Sequence, residues 1–76
     1  MNLCELKKGQ KCIIYEPQAP ENINRRLMDI GLVDNTMVEC VEISPFGDPK
    51  AFLIRGAVIA LRKDESQNIT VKELIV

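Results

Sequence analysis

The 76-residue sequence predicts a mainly β fold, a small five-stranded barrel carrying one short amphipathic α-helix. Three observations lead there. Short runs rich in β-branched and aromatic residues recur between Gly, Pro, Asp and Asn turns, as half-buried strands do. One segment alone switches to a spacing of three and four residues, the period of a helical face. One strand changes the parity of its apolar residues midway, which implies a bulge or sharp bend of the kind small barrels use. Strands this short and evenly spaced favour a closed or nearly closed barrel, since closure removes exposed edges. No repeat, low-complexity segment or linker interrupts residues 1–76, so one domain is expected.

Leu3 and Leu6 form a short packing lead-in to a turn at "KKGQ". The first strand is "KCIIYE", Lys11 to Glu16, with Cys12 and Ile14 on one face and Ile13 and Tyr15 on the other. "PQAP" stops it, because proline donates nothing to a ladder. From Glu21 onward Ile23, Leu27 and Ile30 fall on one helical face, while Arg25, Arg26 and Asp29 fall mostly elsewhere. Acidic Glu21 suits the positive end of the helix dipole. Gly31 suits the C′ position, and Leu32 just beyond folds back on the last turn as the apolar partner of a Schellman end. A helix of about ten residues is too short to stand alone in water and must dock.

Asp34 and Asn35 make a polar turn, both tolerating αL and both able to bond nearby backbone. The second strand is "TMVECVEI", Thr36 to Ile43, where Val38 and Cys40 share a face and Val41 and Ile43 take the other parity. "AFLIR" is the third strand, with Phe52 and Ile54 as core. "GAVIALR" follows with no loop residues to spare, so Arg55 and Gly56 read as a tight hairpin or kink. "KDESQN" is a polar turn, with room for one 3₁₀ turn, and "ITVKELIV", Ile69 to Val76, is the last strand.

The most patterned stretch is "PFGDPKAFLIRG", Pro45 to Gly56, with half of the prolines and half of the glycines. Gly47, Asp48 and Pro49 read as turn geometry, with Asp48 bonding its own backbone. Phe46, between Pro45 and Gly47 at the loop tip, is either tucked under the loop or offered to a partner.

Chemistry is scarce. Histidine is absent, which removes the commonest general base and metal ligand together. Cys4, Cys12 and Cys40 are odd in number, widely spaced and without a C-x-x-C pair, so they read as reduced, small apolar side chains of a cytosolic protein. No metal or cofactor site is expected from them. Ser44 and Ser66 lack an activating base, Asp64 and Glu65 read as a solvated corner, and no phosphate-binding glycine motif occurs. Lys50 and Arg55 are too sparse for an anion site. A net charge of −1, a pI near 5.3 and three aromatic residues argue against nucleic acid. No apolar run reaches the roughly 20 residues of a membrane span, and the N-terminus has no signal-peptide core. What remains is a non-enzymatic binding module, with an apolar cluster of Met28, Leu32, Val33 and Met37 around the helix end.

The run from Arg25 to Val71 resembles the FeoA family, the small cytosolic proteins of bacterial ferrous-iron uptake. The resemblance is carried, in order, by the helix end "RRLMDIGL", a polar turn, a Val-rich strand, the loop "PFGDP", then Arg55-Gly56 and "ALR" with acidic residues after it. Asp34-Asn35 stand where Pro-Gly is usual, and Phe46 where leucine is frequent. The resemblance implies an SH3-like barrel. It also implies a partner, the membrane GTPase-transporter FeoB, so that contact with the membrane is indirect. On that basis Leu27, Met28, Leu32 and Phe46 are expected to form the partner contact. Gly31, Gly47, Asp48, Pro49, Arg55 and Gly56 are expected to serve as structural turns. Two other readings are a self-associating barrel, with weak homo-oligomers, and a transcription-linked regulator like the C-terminal domain of metal-dependent repressors.

Overall fold

The computed structural model describes residues 1–75. A 3₁₀ turn (Leu3–Glu5) precedes β1 (Lys11–Ile14), α1 (Glu21–Asp29), β2 (Met37–Ile43), β3 (Lys50–Ile54), β4 (Ala57–Leu61), α2 (Lys63–Ser66) and β5 (Val71–Leu74). The strands form one antiparallel sheet in the order β4-β3-β2-β1-β5. Alternation decides what faces inward: Cys12, Ile14, Val38, Cys40, Phe52 and Ile54 are all fully buried or nearly so. Leu3, Leu6, Leu27, Leu32 and Ile69 close over them from the turns and α1.

The parity change in the second strand is a bulge. Cys40 pairs with Phe52 and Glu42 with Ala51, which leaves Val41 as the extra residue. β1 ends at Ile14, two residues before the expected Glu16. Beyond it the Tyr15 N–H donates to the Thr70 carbonyl at 2.9 Å and the Glu16 N–H to Asp34 Oδ1 at 3.1 Å, so the chain leaves β2 there. Val76, the last residue of the expected final strand, lies outside the described residues.

Closure of the barrel is not observed. β4 and β5 do not pair, and the ladder stays open between them. The free side of β5 is taken by the first residues of the chain: the Val71 N–H donates to the Met1 carbonyl at 2.9 Å and the Leu3 N–H to the Ile69 carbonyl at 2.8 Å. These bonds occupy the start of β5, at Val71, on the side that β4 would need.

α1 ends as a Schellman motif. The Leu32 N–H donates to the Leu27 carbonyl and the Gly31 N–H to the Met28 carbonyl, both at 3.0 Å, with Gly31 at φ +94°. The helix turns Leu27 inward and sets Ile23 and Ile30 against the core. Its other face is polar, with Arg25 and Glu21 paired at 3.6 Å one turn apart. The polar segment after β4, expected as a polar turn with room for one 3₁₀ turn, is a turn of α-helix, α2.

Candidate functional site

Between β2 and β3 the chain turns at Ser44-Pro45-Phe46-Gly47. The Gly47 N–H donates to the Ser44 carbonyl at 2.8 Å, with Pro and Gly at the positions a type I turn prefers. The Ser44 N–H donates to the Pro49 carbonyl at 3.2 Å across the base of the loop, and the Asp48–Pro49 peptide is cis. Asp48 does not bond its own backbone as expected. Its Oδ1 accepts the Lys63 N–H at 2.9 Å, 15 residues along the chain, and so caps the first N–H of α2. Lys50 holds the start of β3, its Nζ donating to the Cys4 and Leu6 carbonyls at 2.7 and 2.9 Å. On this tied base Phe46 stands 96% exposed. The loop does not tuck it away.

At the far end of β3, Arg55 (φ +50°) and Gly56 (φ +84°) make the tight hairpin, both in the left-handed region as a type I′ turn requires. The end of α1 rests on this turn, where Arg55 Nε donates to the Gly31 carbonyl at 3.0 Å. The expected partner residues therefore divide. Met28 is 43% exposed on the helix, whereas Leu27 and Leu32 are fully buried and offer a partner no surface. The physical reason is the Schellman turn, which folds Leu32 onto Leu27 and both into the core. The helix end and the Phe46 loop also meet the sheet at opposite ends of β3, roughly 13 Å apart along the strand.

A FeoA domain model matches residues 1–73. The chain belongs to the FeoA family. A FeoA protein from Chlorobium tepidum, solved in solution, is 33% identical, covers the whole chain and 71% of its own length, and superposes with a TM-score of 0.89. FeoA of Stenotrophomonas maltophilia, crystallised with zinc and described as a prokaryotic SH3 domain protein, is 29% identical with a TM-score of 0.84 over 95% of this chain and 89% of that one. The SH3-like architecture is thus shared. A curated relative from Porphyromonas gingivalis, a fusion of Fe(2+) transport protein A with the Fe(2+) transporter FeoB, is 25% identical over 72 residues. The chain matches 8% of that fusion's length.

Several other polar groups of this FeoA chain hold the fold. Lys50 Nζ and Arg55 Nε donate to backbone carbonyls, as described. Glu65 is buried rather than solvated: Oε1 accepts the Arg62 N–H at 3.1 Å, and Oε2 pairs with the Arg26 guanidinium, joining α2 to α1. The signal was present, since a glutamate three residues after the N-cap Arg62 sits at N3 and can reach back to the N-cap amide. Arg62 in place of Ser or Thr concealed it. Burial pushes the Cys12 thiol up to about 11 and raises that of Cys40, so both stay protonated and unreactive near neutrality. Among the described residues no three His, Cys, Asp or Glu side chains are grouped to hold a metal ion. No helix among the described residues is long and apolar enough to cross a membrane.

Proposed function

We propose that this chain is a non-enzymatic accessory of ferrous iron uptake that docks on FeoB at its cytosolic side through Phe46. The observation that carries the reading is an aromatic side chain held in water by a loop bonded at its base and to α2. Burying such a ring in a partner's pocket releases about 2 kcal/mol, and the loop is already ordered, so little conformational freedom is lost on docking. Fusion of the two proteins in the P. gingivalis relative supports FeoB as the partner, because domains joined in one chain work at high effective concentration. Met28, exposed on α1, is a second contact residue. Leu27 and Leu32 serve only by shaping the helix end.

The test is binding of the full chain to full-length FeoB in detergent, alongside GTP hydrolysis and iron uptake with and without this protein. Phe46→Ser should weaken binding by about tenfold or more, the loss of one well-buried aromatic. Met28→Ser should weaken it less. A folded Phe46→Ser variant that binds FeoB as tightly as the parent overturns the reading.

A further inference from the structure

The open side of the sheet leaves the whole outer edge of β4 without a strand partner. In a two-residue hairpin Ile54 and Ala57 form the hydrogen-bonded pair next to the turn. The alternation then pairs Phe52 with Ile59 and Lys50 with Leu61, so Ala57, Ile59 and Leu61 direct their amides to β3. Val58 and Ala60 direct theirs away from the sheet. At the opposite edge the N-terminal residues bond the start of β5, at Val71, whereas no backbone bond among the described residues reaches the outer side of β4. Free edges are normally blunted by charge, proline or a bulge. β4 reads Ala-Val-Ile-Ala-Leu, keeps an unbroken register with β3, and leaves Val58 63% exposed.

We infer that β4 receives an extended apolar segment of the protein partner, bordered by acidic side chains, as an added antiparallel strand. Charge chooses the occupant. Arg55 stands before the strand and Arg62 and Lys63 after it; Asp64 and Asp48 are the acids beside the latter two, Glu65 being paired with Arg26, and none of the three cations is in an ion pair among the described residues. A second copy fits badly: the register overlapping all of β4 sets Arg55 against Lys63 and Gly56 against Arg62, twice by symmetry. An uncharged segment with acids at its ends meets cations at both. The Leu61 end also lies beside the Phe46 loop, because Asp48 bonds Lys63 and both line a cleft of about 330 Å³ together with Lys50 and Leu61. One partner can therefore run along β4 and reach Phe46. The inference rests on the reading that this partner is FeoB; main-chain bonds would supply the affinity and the neighbouring side chains the choice of segment.

Hydrogen exchange of the full chain, alone and with full-length FeoB in detergent, tests it. Alone, the Val58 and Ala60 amides should exchange fast; with FeoB both should slow by at least about tenfold, while Ala57, Ile59 and Leu61 change little. Ala60→Pro removes an amide that makes no bond to β3, and should weaken FeoB binding by roughly five- to tenfold, while Ala60→Thr, which keeps the amide, should not. FeoB binding with both amides still fast overturns strand addition and leaves the Phe46 contact standing. No FeoB binding at all overturns both. Protection that appears without FeoB as the mass doubles overturns the choice of partner in favour of a second copy.

Discussion

Phe46 keeps nearly all of its surface in water above a loop whose bonds are made by the backbone, Asp48 and Lys50. Phe46→Ser should therefore change the unfolding free energy by less than about 0.5 kcal/mol in urea titration, which separates a lost contact from a lost fold. Glu65 is the opposite case. Glu65→Ala strips a partner from the Arg62 amide and the Arg26 guanidinium, and should cost roughly 1–3 kcal/mol in the same titration. Arg26→Ala should cost less, because its guanidinium is half in water. Cys12 ties stability to pH. Its thiol is raised in the folded state from 9.0 to about 11, so the folded chain holds the proton more tightly than the unfolded one. That contribution is complete below pH 9 and is lost as pH climbs through about 11. The urea midpoint should fall across that window, and the part due to Cys12 should vanish in Cys12→Ala.

α1 holds its place by how it ends. Gly31 sits at φ +94°, and a Cβ built there would lie 2.7 Å from Arg55 Cδ. Gly31→Ala meets both the left-handed penalty and that close approach, so a loss of about 1–2 kcal/mol is expected by thermal or urea unfolding. Arg55→Ala removes the close approach and should reduce what Gly31→Ala costs, which a double-mutant cycle measures. This element was legible because the three- and four-residue spacing of Ile23, Leu27 and Ile30, a glycine and a following leucine each carry a local cause. The bulge at Val41 was legible for the same reason, as a break in alternation. The role of Asp48 was not, because local chemistry offers an aspartate its own turn, and Glu65 showed only its local half, the reach back to the Arg62 amide. The other partners are the Lys63 amide and the Arg26 guanidinium, which only folding brings near.

A chain of 76 residues has little stability to spare, on the order of 4–11 kcal/mol. Leu27 and Leu32 lie at the centre of its single described core cluster, and truncating either to Ala should cost roughly 2–5 kcal/mol. Leu27→Ala is thus expected to bring the chain close to unfolding at 37 °C, visible as a collapse of amide dispersion or of the thermal midpoint. Such a variant says nothing about partner contact, and for that reason Phe46 and Met28 carry the binding test. Openness of the sheet is also a property of the whole. Whether "AVIAL" is central or at an edge depends on where β5 and the first residues go, and the latter bond the start of the former.

Strand faces, the helix and its stop, the bulge, the Arg55-Gly56 turn and the absence of histidine chemistry were all determined by the sequence alone. Each rests on interactions among near neighbours or on a residue's own φ preference. The family resemblance likewise rested on an order of motifs, and the domain match bears it out. Tertiary structure decided the rest: that Leu27 and Leu32 are core while Phe46 is surface, that Glu65 is buried, and that the outer edge of β4 has no strand partner. Burial and edge position depend on which distant segments pack together, and residues separated along the chain acquire those neighbours only when the sheet forms.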